Sequence, residues 1–494
     1  MSDQEYDVIV IGAGPTGENV ADRVRRGGLS VAVAEAELVG GECSYWACIP
    51  SKALLRPAAA LAAARAVDGA RQAVTGELDA AAVLARRTGF THGWSDDSGQ
   101  VKWLDGTGST LIRGAARLAG ERKVEVTGPD GATVTLAARH AVVVATGSAA
   151  AIPPVPGLAE PLVWTSREAT SAETVPGRLA ILGGGVVACE MATAWRALGA
   201  EVTMLVRGPR LLAKMEPFAG DLVTEALRSA GVDIRTGTGV ARVRRLSRAT
   251  PVEIWTGAPA AGPAGAGADG HAADLVADEL LVATGRVPRT AGLGLESVGL
   301  NPETPGDWLA VDDSCLVGAV PGGWLYAVGD VNHRNLLTHM GKYQARACGD
   351  AIVARARGEL DGPPEPWSGL AASADHLGAP QVVFTDPEVA AVGLTEEQAR
   401  AQGLPARAVD YELGHVAGAA LAADGYQGQA RFVVDERRQV LVGATFAGPG
   451  TAELLHAATI AIVGEVPLRR LWHAVPSFPT ISEVWLRLLE TYGL

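Results

Sequence analysis

Two cysteines stand five residues apart in Gly40-Gly-Glu-Cys43-Ser-Tyr-Trp-Ala-Cys48-Ile-Pro-Ser-Lys52. Neighbouring thiols can pass two electrons by opening and closing a sulfur–sulfur bond, with the thiolate as the reacting form. On an uninterrupted helix this spacing turns the side chains about 140° apart and separates their Cα atoms by roughly 8–9 Å. A disulfide spans at most ~7 Å. A bonded pair therefore requires Cys43 at or before a helix start, bent back towards Cys48. There, exposed N–H groups and the helix dipole favour a thiolate. The other reading is two unrelated buried cysteines. Cys189, Cys315 and Cys348 are isolated in sequence and are expected to be small buried hydrophobes.

The elements around this motif come from the apolar runs. Residues 6–11 (YDVIVI) predict a strand buried on both faces, followed by Gly12-Ala-Gly14-Pro-Thr-Gly17 and a helix. Leu29 to Ala34 predicts a second buried strand ending on Glu35, about 20 residues on, where a carboxylate binds ribose hydroxyls. This is a βαβ dinucleotide site: Gly12 makes the turn, Gly14 admits a pyrophosphate and Gly17 lets helix pack on strand. The pattern recurs at Arg178–Leu182, Gly183-Gly184-Gly185-Val-Val-Ala188 and a strand from Glu201 to Val206. That second unit ends on Val206-Arg207, with Arg210 and Lys214 close behind, instead of an acid. Two such sites imply one bound flavin nucleotide and one exchanging nicotinamide nucleotide.

At 494 residues the chain exceeds one core. A net charge of -13 argues against nucleic acid or an anionic membrane as partner. The acidic start runs directly into a strand and predicts no signal peptide; the longest uncharged run, Ala141 to Leu158, is broken by Gly147, Pro153, Pro154 and Pro156. A cytoplasmic protein without a metal site is expected. The stretch between Pro251 and Asp274, rich in Ala, Gly and Pro, reads as a mobile loop between strands. The last ~120 residues, with strand-like Gln381–Phe384 and Ala430–Val434, read as a separate α+β domain.

With these motifs the chain resembles the pyridine nucleotide-disulfide oxidoreductases, the group of glutathione reductase, dihydrolipoamide dehydrogenase and mercuric reductase. That family's signature is GG-T-C-x-N-x-G-C-x-P-S-K, of which both cysteines, the Gly pair and Pro-Ser-Lys are present. Ala145-Thr-Gly147 and Ala283-Thr-Gly285-Arg286 resemble its two strand-end motifs. Ala327-Val-Gly329-Asp330 resembles the element whose Asp binds the FAD ribityl chain, and Leu336–Arg346 the helix beneath the flavin. Val383-Phe-Thr-Asp-Pro-Glu388 and Val392-Gly393-Leu-Thr-Glu396 resemble the start of its dimerisation domain. The resemblance implies an α/β protein with two Rossmann-like dinucleotide-binding domains and a C-terminal α+β dimerisation domain. The expected division is FAD domain 1–160 and 285–374, NAD(P)H domain 161–284 and dimerisation domain 375–494. It implies a homodimer, a Cys43–Cys48 redox disulfide with Cys43 facing substrate and Cys48 facing the flavin, and Lys52 near flavin N5 paired with Glu190. Lys52 lies one turn beyond Cys48 on the same helical face.

Three departures limit what is carried over. Tyr45, Trp46 and Ala47 replace small or amide residues and a glycine, and two readings stay open: rings packed under the flavin domain, or an aromatic substrate mouth. The family's C-terminal His-Pro-Thr-x-x-Glu, whose His–Glu pair serves the partner's cysteines as acid/base, is Phe478-Pro479-Thr480-Ile-Ser482-Glu483 here. Glu483 stays, and His473, five residues earlier, is the candidate stand-in base. Phenylalanine at this place resembles, at that one residue, the 2-ketopropyl-coenzyme M oxidoreductase/carboxylase branch. No cysteine follows Cys348, which disfavours mercury reduction. The expected activity is electron transfer from NADPH, with NADH less favoured, through FAD and the cysteines to a small disulfide or related electrophile. The alternatives are an NAD(P)H:quinone or flavin reductase, and the dihydrolipoamide dehydrogenase of a multienzyme complex.

Overall fold

The computed structural model describes residues 4–158, 162–257, 272–300 and 307–494, arranged as two compact units. The first comprises Met1–Ile49, Thr88–Ala149 and Arg286–His376. Its sheet begins with the strand β1 (Gln4–Ile11), whose alternate residues are buried on both faces. Val8 and Val10 pack with Val20, Ala21 and Val24 of helix α1 (Pro15–Arg26), while Ile9 and Ile11 join Leu118, Leu136 and Leu325 on the other side. A strand covered on both sides must be apolar throughout, which is why YDVIVI carries no alternation. β1 pairs in parallel with β2 (Val31–Glu35) and with the strand Thr133–Val144. Thr110–Arg113 flanks β2, and Leu325–Ala327 adds in parallel to Thr133–Val144. This is the order of a doubly wound nucleotide-binding sheet.

Next come a short helix α2 (Gly41–Tyr45) and a long helix α3 (Cys48–Arg65), which starts in the first unit and continues into the second. Helix α4 (Thr338–Ala356) packs on α1 along its length.

The second unit comprises Pro50–Arg87, Ala150–Gly285 and Leu377–Leu494. Its parallel sheet runs Asp233–Thr236, Glu201–Val206, Arg178–Leu182, Glu279–Val282. The helix Val186–Ala197 links two of these strands and buries Ala188, Cys189, Met191 and Trp195. An antiparallel three-stranded sheet (Val240–Arg244, Val252–Thr256, Leu275–Ala277) accompanies it. Residues 252–256, expected as part of a loop, are therefore strand: the alternation in VEIWT outweighs the adjoining Ala, Gly and Pro. The rest of that run, 258–271, lies outside the described residues.

The same unit holds a five-stranded antiparallel sheet, Gln381–Val383, Glu388–Gly393, Val440–Gly448, Gln429–Asp435 and Ala406–Glu412. Helices Leu455–Val463 and Val484–Tyr492 cover it through a core that includes Phe432, Phe446, Leu455 and Leu488. The fold class is thus two nucleotide-binding α/β sheets plus a C-terminal α+β sheet. Among the described residues no helix is long and apolar enough to cross a membrane.

Candidate active site

The spacing problem posed by Cys43 and Cys48 is solved by two helices. Cys43 lies inside α2, the chain leaves the helix at Trp46, and Cys48 is the first residue of α3. The glycine pair sets the entry: Gly40 donates to the Ala13 carbonyl at 2.8 Å. A Cβ on Gly41 would come 2.8 Å from the Gly14 Cα, so only glycine lets the cysteine loop lie on the start of α1. Both cysteines are reduced thiols, half-buried and hydrogen-bonded to each other. That hydrogen bond first, and burial second, push the Cys43 thiol well above its ordinary range. Cys48 Sγ lies 3.3 Å from the Thr338 hydroxyl at the start of α4.

Tyr45 is buried, and its backbone carbonyl accepts from Trp94 Nε1 at 2.7 Å; Trp46 is half-buried with its ring 5.7 Å from that of Tyr45.

In the same unit, Gly12 has φ +102, and a Cβ there would meet the Ala145 carbonyl at 2.6 Å. Gly14 caps α1 without a side-chain bond, and a Cβ there would meet nothing within 4 Å, so the helix N-terminus is left open in the way that suits an anion. Glu35 closes β2 with one oxygen accepting from Ala13 N at 2.6 Å, and burial raises its carboxyl. Gly147 (φ +72) follows the strand Thr133–Val144, and its carbonyl accepts from Arg289 N. Asp330 Oδ2 accepts from the Ser148 hydroxyl at 2.5 Å, and Arg286 Nε donates to that hydroxyl at 2.6 Å. The Thr146 hydroxyl is buried without a partner among the described residues. A dinucleotide with its pyrophosphate at the α1 N-terminus, its ribose at Glu35 and its polyol at Asp330 fits this set.

In the second unit Lys52 Nζ lies 2.7 Å from Glu190 Oε2 and 4.9 Å from the centre of the Phe384 ring. Glu190 is 3% exposed, and its other oxygen accepts from Phe384 N at 3.0 Å. A second nucleotide cradle has Gly183 at φ +132 and Gly185 facing open space before the helix Val186–Ala197. Gly285, at φ +155, accepts from Ala151 N. Arg207 and Lys214 are exposed at the end of the strand Glu201–Val206, with Arg210 half-buried.

Near the C-terminus Phe478 is 75% exposed and His473 is exposed as well. Glu483 is buried and ion-paired with Arg487, and its Oε2 has no partner among the described residues. Sequence reasoning missed Thr338, Lys342 and Glu18. Glu18 is buried in the first turns of α1 with Oε1 unpartnered among the described residues, and burial pushes its carboxyl up to about 7, opposed by Lys342. Its only sequence signal was an acid directly after a glycine that must pack closely. Among the described residues no cluster could hold a metal.

Residues 6–354 match the family described as pyridine nucleotide-disulphide oxidoreductase, and residues 379–488 match its dimerisation domain. The chain belongs to that family. A dihydrolipoyl dehydrogenase from Thermus scotoductus is 33% identical over 98% of this chain and 97% of its own. A glutathione reductase from Burkholderia cepacia is 29% identical over 99% of both. The crystal structure of LpdA from Mycobacterium tuberculosis superposes with a TM-score of 0.80 at 22% identity, covering 99% of this chain and 100% of that one. As a pyridine nucleotide-disulphide oxidoreductase the protein is an FAD- and pyridine-nucleotide-dependent enzyme with the family's dimerisation domain.

Proposed function

We propose that the protein is a homodimer that carries electrons from NADPH through FAD and the Cys43/Cys48 pair to a small disulfide or a related electrophile. The observation that carries this reading is the pair itself: two hydrogen-bonded thiols on successive helices, Cys48 opening α3 and touching Thr338. FAD, when bound, supplies the two-electron link between nicotinamide and sulfur.

The chain's own residues then act in sequence. The Cys43 sulfur attacks one sulfur of the substrate disulfide, and the first thiolate leaves. Cys48 attacks the Cys43 sulfur, closing the Cys43–Cys48 bond and releasing the second thiolate. The dithiol has lost two electrons and two protons, and two substrate thiols have gained them. The Thr338 hydroxyl can donate to a Cys48 thiolate, which the α3 N-terminus also favours. Lys52, held by Glu190, keeps a fixed positive charge one helical turn from Cys48. Arg207, with Arg210 and Lys214 behind it, is suited to the 2′-phosphate of NADPH.

The step left unassisted is proton transfer to and from Cys43. Phe478 has no exchangeable proton, and Glu483 is engaged by Arg487. That observation favours a second reading, an NADPH:quinone reductase, whose acceptor needs no thiol exchange. The experiment that separates the two is anaerobic NADPH titration followed by a panel of disulfides and quinones, read by flavin absorbance. Re-oxidation by a disulfide at catalytic rates supports the first reading, and re-oxidation by quinones alone overturns it.

A further inference from the structure

Cys315 and Cys348, isolated in sequence, are not isolated in space. Each is wholly buried, both belong to one apolar cluster with Tyr326, Ala345 and Ile352, and their thiols hydrogen-bond to each other. Both are buried as expected of small hydrophobes, and thirty-odd intervening residues fold back to bring the two sulfurs together.

The backbone around Cys315 is built to present it. Asp312 Oδ1 accepts from Ser314 N at 2.8 Å, from the Ser314 hydroxyl at 2.7 Å and from Leu316 N at 3.0 Å, forming a tight turn. At its apex Cys315 has φ 63, a left-handed conformation that a residue with a Cβ adopts only when its surroundings impose it. The Cys315 carbonyl accepts from Ala327 N at 3.0 Å, three residues before Asp330. Cys348 lies in mid-α4, the helix whose Thr338 touches the Cys48 sulfur and whose buried Gln344 accepts from Gly329 N at 2.9 Å. A covalent link between the two cysteines would fasten the turn, the strand Leu325–Ala327 and α4 into one block.

We propose that Cys315 and Cys348 are a second, structural redox pair that closes to a disulfide when the protein meets a peroxide. One sulfur attacks a peroxide oxygen, the O–O bond breaks, and a sulfenic acid and one water result. The second sulfur attacks the sulfenic sulfur, the S–S bond forms, and the S–O bond breaks to release the second water. Two electrons pass from the sulfurs to the peroxide, and the two thiol protons end in water. Both sulfurs are wholly buried, so reaction waits on local opening of the turn and is slower than oxidation of the half-buried Cys43 and Cys48. The closed bond restrains the chain between α4 and the turn and raises resistance to heat.

The test uses flavin-loaded protein carrying Cys43→Ser and Cys48→Ser, which leaves Cys189, Cys315 and Cys348. After incubation with hydrogen peroxide, the protein is alkylated in denaturant and mapped by mass spectrometry. The expected result is a cross-linked peptide joining Cys315 to Cys348, lighter by two hydrogens and reversed by dithiothreitol, with Cys189 still alkylated. The oxidised protein melts at a higher temperature, and adding Cys315→Ala abolishes both the cross-link and the rise. If the double serine variant fails to fold, the same map on wild-type protein resolves the two pairs by peptide. Alkylation of all three cysteines, or conversion of Cys315 and Cys348 to sulfinic acids without a cross-link, overturns the proposal.

Discussion

Lys52 and Glu190, 138 residues apart in the chain, meet with Nζ 2.7 Å from Oε2 and 3.0 Å from Oε1. The carboxylate is almost wholly buried, and its remaining partner is the Phe384 N–H. Removing Lys52 therefore strands a buried negative charge. Lys52→Met should lower stability by on the order of 2 kcal/mol, less than a fully buried pair because Lys52 retains solvent. Lys52→Arg should recover most of it. Thermal melts at pH 7 check this, and equal melting temperatures for wild type and Lys52→Met would contradict it.

The proposed preference for NADPH looks to the end of the strand Glu201–Val206, where Arg207 stands in place of an acid. Arg207→Ala should reduce kcat/KM for NADPH by roughly 10–100-fold, the worth of one charge-assisted contact. NADH kinetics should move little. Equal losses with both coenzymes would assign Arg207 a structural role.

Glu18 gives a pH dependence of stability. Its carboxyl rises from the ordinary 4.5 to about 7 through burial. The folded state thus favours the protonated form: this contribution is complete below 4.5 and is lost as pH rises through about 7. The full difference corresponds to roughly 3 kcal/mol. Glu18→Gln should therefore stabilise the protein at pH 8 and change little at pH 4, as read by chemical denaturation at both values. A pH-independent effect would contradict the assignment.

Much of the fold was legible because it is local. The strands Arg178–Leu182 and Glu201–Val206 end where their apolar runs end, and the glycines after each first strand mark turns that no side chain fits. What stayed hidden depends on distant contacts. Thr338 reaches Cys48 across 290 residues, and nothing in its neighbours announces a hydroxyl facing sulfur. Cys315 and Cys348 share a pocket only because the turn at Asp312 and helix α4 pack on the same face of the sheet. Glu18 looked like an ordinary acid in a first helical turn; its burial follows from the packing of α1 on α4.

Proton transfer is where the exposed Phe478 matters. With the Cys43 thiol raised by its hydrogen bond to Cys48 and phenylalanine at position 478, disulfide turnover should be slow and climb about tenfold per pH unit between 6 and 8. Phe478→His should raise it at least tenfold and flatten that slope, within the roughly 10²–10⁴-fold of a positioned base. His473→Ala should change little. A hundredfold loss on His473→Ala, with flavin reduction intact, would show that His473 is the base.

The proposed exit route for electrons is the Cys43/Cys48 pair. It is tested most directly by the absorbance of flavin-loaded single variants together with their turnover. Cys43→Ser removes the thiol that hydrogen-bonds Cys48 and should leave Cys48 as a thiolate at the start of α3, so a long-wavelength thiolate-to-flavin band should be present without any reductant. Cys48→Ser should lack that band at every stage of reduction, and both variants should lose disulfide turnover. Wild-type turnover in both variants, with no band in Cys43→Ser, would contradict the account.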